Sequence, residues 1–231
     1  MPLPYIYKRN LSMKVLLSLS GGMDSTTVLG YLLSRSHAVE CISFTYGSKH
    51  NEYELEAALK VAEHYGVPHH GIISLASIMN KFTSNLLKSG GDIPEGHYND
   101  ASMAQTVVPG RNIIFISIMT GLAWSLGANG VALGIHQGDH AIYPDCRREF
   151  FHAMNEAIEF GTDRRVELIA PFLNTDKTGI LEWGMENEVP YHLTRTCYKD
   201  QPISCGKCGA CRERLEGWAN IRKKDPIEYE V

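Results

Sequence analysis

Ser20-Gly21-Gly22-Met23-Asp24-Ser25 closes one apolar run, 15–19, and opens another, an order that reads as strand, tight loop and helix. The paired glycines let the backbone turn sharply and approach a ligand, and Ser25, or Asp24 before it, is placed to cap the helix that follows. Backbone N–H groups then converge at the positive end of a helix dipole beside the hydroxyls of Ser20, Ser25 and Thr26, which is chemistry for phosphate. No G-x-x-x-x-G-K-[ST] or G-x-G-x-x-G occurs, so this is neither a lysine-bearing P-loop nor a dinucleotide fingerprint. The second chemical group is Cys197, Cys205, Cys208 and Cys211, with Gly206 and Gly209 allowing the chain to fold back on itself. Four soft ligands suit tetrahedral zinc, and four thiolates leave no open position for water, so the expected site is structural. An iron–sulfur cluster and two disulfides are the rival readings, the second disfavoured by strain in the tight C-x-x-C-x-x-C spacing.

Stepping from these residues to their supports, apolar runs and helical patterns alternate. Helices are predicted at 26–35, 52–65, 112–126, 147–160 and 176–187, and strands at 39–46, 71–75, 131–135 and 166–170. Leu55, Leu59, Ala62 and Tyr65 form the expected inner face of the second helix. Such alternation predicts an α/β fold, a mostly parallel sheet with helices on both faces and ligands at the carboxyl ends of the strands. Residues 84–109 are polar, glycine-containing and long for a connector, and read as a mobile flap carrying substrate contacts. Leu215, Trp218, Ala219 and Arg222 continue as a helix that packs the cysteine segment onto the core. The expected divisions are a dispensable tail, 1–12, with Met13 a second start, then an ATP-binding α/β domain, 13–194, and a zinc segment, 195–231.

Lys and Arg total 22 against 26 Asp and Glu, for a net charge of −4, and no basic block is present, so stable nucleic-acid binding is not expected. The most apolar stretch, 113–126, is interrupted by Ser117, Thr120, Gly121 and Ser125, and no membrane span is expected. Clustered cysteines suit a reducing compartment, and a cytoplasmic protein is expected.

S-G-G-x-D-S after a first strand resembles the pyrophosphate loop of the ATP pyrophosphatase superfamily, whose members cleave ATP between the α and β phosphates and adenylate a substrate oxygen. With the cysteines, 14–222 is similar to the 7-cyano-7-deazaguanine synthase family of the queuosine pathway. The further matches are Val108-Pro109-Gly110-Arg111-Asn112, Tyr143-Pro144-Asp145-Cys146-Arg147, Thr196-Cys197-Tyr198 and Cys205-Gly206-Lys207-Cys208. The chain departs from the family pattern G-x-N-x-x-D-x-S-G-Y-P-D-C-R at His136, Ala141 and Ile142, in a segment expected to line the pocket, while keeping Asp139.

The resemblance implies an adenine nucleotide alpha hydrolase-like core plus the zinc segment. It also implies conversion of 7-carboxy-7-deazaguanine and ammonia to the nitrile, with ATP going to AMP and pyrophosphate. Two activations are expected, through an adenylated carboxylate and then an amide, because each adenylation removes one oxygen. The ATP-binding residues it implies are Leu19, Ser20, Gly21, Gly22, Met23, Asp24, Ser25, Thr26, Thr27, Val28 and Leu29. Asp24 caps the helix or holds Mg²⁺ on the phosphates, Lys177 is a point charge for pyrophosphate, and Arg111 clamps a phosphate or the substrate carboxylate. Asp139 or Asp145 accepts from the N–H edge of a guanine-like ring, with Tyr143 also on the substrate; Asp145 alternatively caps the helix of Arg147. His136 and His140 are candidates to shuttle a proton, and Cys41 and Cys146 read as packing thiols. Ammonia is expected free or from a partner, with no glutaminase domain in 14–222, and the chain is expected to form a homodimer. A tRNA thiolase and a non-catalytic nucleotide-binding module are the rival functional readings.

Overall fold

The computed structural model describes residues 12–97 and 100–230. Residues 1–11 of the expected tail lie outside the described residues, while Ser12 donates to the Ser36 carbonyl at 2.7 Å. The elements run β1 (Lys14–Ser18), α1 (Met23–Ser34), β2 (Ala38–Thr45), α2 (Asn51–Tyr65), β3 (His69–Ser74), α3 (Ala76–Met79), α4 (Arg111–Ser125), β4 (Gly130–Ala132), α5 (Arg148–Gly161), β5 (Glu167–Ile169), α6 (Lys177–Glu186) and α7 (Gly209–Asn220).

The sheet order is β3-β2-β1-β4-β5, with every neighbouring pair parallel. β1 is central because it is apolar on both faces. Val15 and Leu17 pack with Val39, Cys41, Ala132 and Ile169 against α1, α2 and α6. Leu16 packs with Ile42, Phe44 and Val131 against α4 and α5. The chain winds outward from β1 through β2 to β3, then returns to the other side of β1 as β4 and β5. The loops after β1 and β4 therefore diverge at a switch point, where such sheets open a crevice.

Two expectations are corrected. α2 turns Ala57, Ala58, Val61 and Ala62 inward, and Leu59 is exposed. Small residues are required there because the loop after β1 rests on this helix. The described residues of 84–109 are anchored rather than a flap: Leu86, Leu87 and Val108 are buried in the α4 side of the core, and Met103 is buried as well. Leu87 bridges to Ser48 and Glu95 to Cys208. Ala101–Ser125 is long and apolar enough for a membrane span by composition. Its α4 portion instead buries Phe115, Ile116, Met119 and Ala123 against the sheet, as a core helix does.

Candidate active site

Gly21 adopts φ +78°, and a Cβ there would fall 2.4 Å from Ala58 N and 2.5 Å from Glu54 O. The loop thus sits directly on the backbone of α2, a contact that only glycine permits. Gly22, not Ser25 or Asp24, precedes the first turn of α1, and no side chain caps that helix. The expected cap is corrected because both side chains are engaged elsewhere. Ser25 Oγ accepts from Ser20 N–H and donates to the Gly22 carbonyl, both at 3.2 Å, while Ser20 Oγ accepts from Gly22 N–H. The hydroxyls pre-shape the loop, and the first amides of α1 are left without a side-chain acceptor, as an anion site requires.

Leu19, Ser20, Gly22, Met23, Asp24 and Ser25 line the cavity at the sheet's carboxyl edge. Thr26 and Thr27 instead donate to the carbonyls of Gly22 and Met23, both at 2.8 Å, and Thr27 also meets Tyr191 OH at 2.9 Å. Val28 and Leu29 are core residues beneath the loop. These four build the helix under the site and do not line it. From the β4 side, a Cβ on Gly134 would fall 2.7 Å from Ser25 N, so this strand end also abuts the loop.

Lys177, the first residue of α6, is buried and donates to both Asp24 oxygens, at 2.7 and 2.8 Å, with Glu213 Oε2 at 3.4 Å. Burial by itself would raise the Asp24 carboxyl, but the Lys177 ammonium, helped by His136, outweighs it and holds Asp24 below its usual range. Lys177 shows the converse: burial opposes its charge, and Asp24 and Glu213 drive its pKa well above the usual value. Burial pushes the Glu213 carboxyl up. His136 is buried beside them, with Nε2 at 3.6 Å from Asp139, 3.9 Å from Asp24 and 3.9 Å from Glu213. Its Nδ1 accepts from Gly138 N–H at 3.0 Å, which leaves the proton on Nε2 facing the carboxylates. His136 is therefore the departure from the family pattern that touches the cavity; Ala141, Ile142 and His140 do not line it.

The same cavity carries Arg111 at the start of α4. Its guanidinium lies 5.8 Å above the Tyr46 ring and donates to Tyr46 OH at 3.4 Å, and among the described residues no carboxylate pairs with it. Burial disfavours its charge, yet Tyr46, Cys146 and Asp145 keep it firmly protonated. Phe44 stacks on Phe115 at 4.1 Å, and Tyr46 meets Phe115 edge-on, giving this part of the cavity flat apolar walls. Tyr143 lines it, held by Thr106 Oγ1 at 2.8 Å from its hydroxyl, so Thr106 supports the site from behind, and none of the described residues of 84–109 lines it.

Asp145 has a different job from the one expected. Its Oδ2 accepts from Asn112 N–H at 2.9 Å at the start of α4; Asn112 lines the cavity and Asp145 itself does not. Cys41 and Cys146 are buried packing thiols, the first pushed up to about 12 by burial.

The Sγ atoms of Cys197, Cys205, Cys208 and Cys211 all lie within 4.8 Å of one another, all buried and none in a disulfide. A tetrahedron with ~2.3 Å metal–sulfur bonds has its sulfurs roughly 3.8 Å apart, so the set fits a single ion. Lys199, Cys205, Lys207 and Cys208 aim backbone N–H groups at the Cys197 and Cys205 sulfurs, at 3.3 to 3.4 Å, as thiolates require.

The segment around this knuckle also reaches the cavity through Arg195, Thr196, Tyr198, Ala210 and Glu213. Sequence reasoning singled out neither Arg195, Glu213, His50 nor Glu54 as site residues. Their places depend on how α7 and α2 pack, which no local motif encodes. The one available signal was proximity in sequence of Arg195 and Glu213 to Cys197 and Cys211.

Residues 14–222 match the family described as queuosine biosynthesis protein QueC. The 7-cyano-7-deazaguanine synthase of Caldicellulosiruptor saccharolyticus is 46% identical over 95% of this chain and 96% of its own length. That of Pseudoalteromonas atlantica is 45% identical over 94% and 99%. Among solved structures, the U34-tRNA thiolase NcsA of Methanococcus maripaludis superposes with TM-score 0.51 at 17% identity over 93% of this chain and 68% of that one. A 4-thiouridine synthetase–RNA complex with bound ATP gives 0.52 at 20% over 94% and 47%; both likenesses bear on the fold alone. The chain belongs to the QueC family, the 7-cyano-7-deazaguanine synthases of queuosine biosynthesis.

Proposed function

We propose that this ATP-dependent ligase performs both activations, of acid and then of amide, in the one cavity. The observation that carries this reading is that the anion loop shares that cavity with the Arg111 guanidinium, which has no carboxylate paired to it among the described residues. The loop amides take the departing pyrophosphate, stabilising charge as it builds. Arg111 holds the carboxylate of 7-carboxy-7-deazaguanine bidentately, Phe44, Phe115 and Tyr143 flank the ring, and Asp139 accepts from its N–H edge. Lys177 fixes Asp24 beside the phosphates. The Asp24 carboxylate suits magnesium, which would neutralise phosphate charge.

The four-cysteine site holds zinc in this reading. The closed thiolate set leaves it a structural role, and the reduced thiols suit the cytoplasm. α4 also exposes a stripe of Ile113, Ser117, Gly121 and Trp124, which supports a homodimer measurable by sedimentation.

Mass spectrometry of the products from 7-carboxy-7-deazaguanine, ammonia and ATP tests the reaction sequence. The amide accumulates when ATP is limiting, and amide supplied directly becomes nitrile with one further AMP and pyrophosphate. A supplied amide left untouched, or nitrile formed with a single AMP, refutes two activations.

A further inference from the structure

His50 lies at the start of α2, lines the active-site cavity and is only 2% exposed. Its Nε2 faces Glu54 Oε2 at 3.5 Å, and Glu54 lines the same cavity. A carboxylate at that nitrogen favours the tautomer with hydrogen on Nε2, which leaves the Nδ1 lone pair as acceptor. Nδ1 is buried and has no hydrogen-bond partner. A buried acceptor left unmade keeps its desolvation cost, which a ligand N–H would remove. The ring rests between Tyr46, at 6.4 Å, and Tyr198, at 5.4 Å, and Tyr46 also carries Arg111. The group that holds the carboxylate and the free imidazole nitrogen are thus joined through one tyrosine. His136, the other buried histidine of the cavity, has its Nδ1 taken by Gly138 and three carboxylates at its Nε2, so it has no lone pair to offer.

We propose that His50, oriented by Glu54, is the base that handles the reaction's nitrogen in both halves. The proposal rests on the two-activation reading above. In the first half ammonia adds to the carbonyl carbon of the acyl adenylate. Nδ1 takes a proton from the ammonium nitrogen of the adduct, and the C–O bond to AMP breaks to give the amide. In the second half the amide oxygen displaces pyrophosphate from the α-phosphorus of ATP. The nitrogen then gives up its two protons as the C–O bond breaks, one to Nδ1 and the other to solvent on protonation equilibrium of the iminium, leaving nitrile and AMP. The Nδ1 proton passes to solvent when products leave. No electrons are exchanged.

His50→Asn keeps an acceptor near the Nδ1 position but takes no proton. Full-length zinc-loaded enzyme is compared with this variant in three assays: ATP–pyrophosphate exchange with 7-carboxy-7-deazaguanine and no ammonia, amide formation with ammonium, and nitrile formation from supplied amide. Exchange is expected within about threefold of wild type, while both nitrogen steps fall by at least ~100-fold, the range of general-base catalysis. Glu54→Gln is expected to reproduce the pattern more weakly. Nitrogen steps within threefold of wild type overturn the proposal. So does an equal loss of exchange and nitrogen steps, which makes His50 a support for the loop, or loss of only one nitrogen step. A wild-type enzyme that makes no amide refutes the two-activation reading instead, and with it the premise of this one.

Discussion

Lys177 Nζ lies 2.7 and 2.8 Å from the two carboxylate oxygens of Asp24, a residue 153 positions earlier in the chain, and 3.4 Å from Glu213. One ammonium therefore ties the loop after β1 to the start of α6 and to α7. Lys177→Met leaves Asp24 and Glu213 facing His136 without the ammonium that pairs with both. Breaking one side of a buried pair costs roughly 3 kcal/mol, and turnover is expected to fall by at least ~100-fold. Chemical denaturation and pyrophosphate release check both; wild-type stability and turnover contradict the assignment.

The same pair sets an acid limit. Asp24 is held below its ordinary pKa, so the folded state binds that proton less readily than the unfolded chain. The resulting stabilisation is full above about pH 4 and disappears as pH falls through the depressed folded value. Asp24→Asn is expected to be less stable than wild type at neutral pH and to converge with it under acid. Urea melts from neutral pH to about pH 3 would show a constant difference if the pair were not responsible.

Gly134→Ala places a methyl 2.7 Å from Ser25 N, against backbone that cannot swing aside. A loss of about 1–3 kcal/mol is expected, with a rise in the ATP KM, because the displaced atoms belong to the loop. Unchanged ATP kinetics would show the loop to be more compliant than its packing implies.

Arg111→Lys keeps the charge but loses the two-pronged donor. The acid half-reaction is expected to weaken at least ~10-fold in kcat/KM, and conversion of supplied amide, which carries no carboxylate, by less. Equal losses would move Arg111 from substrate to phosphate.

Cys208→Ser, or a strong chelator, is expected to release one zinc per chain and abolish turnover. Structural zinc supplies roughly 10–16 kcal/mol of apparent binding free energy, comparable with a domain's whole stability. Metal analysis finding iron, with visible absorption, would contradict the zinc reading.

How much of this was legible in the amino-acid order depended on range. The loop and the knuckle were, because each is a short run whose geometry follows from glycine and ligand spacing. The order of strands and helices was as well, since β1 is apolar on both faces. Asp145 was misjudged because its partner, Asn112, lies 33 positions away. Leu59 was misjudged because the inward face of α2 is dictated by the Gly21 loop lying on it, not by the helix's own apolar count. Glu213 and His50 escaped notice since charge and imidazole acquire meaning only from what faces them across the cavity.

Arg195 joins the phosphate loop to the cysteine segment. Its N–H donates to the Gly21 carbonyl at 2.9 Å, while its guanidinium gathers the carbonyls of Lys199, Gln201 and Pro202 at 2.5 to 3.0 Å. The residue that seats the loop stands two positions before the first of the four cysteines. Whatever loosens the four-cysteine knuckle is therefore felt at Gly21, through a single peptide N–H.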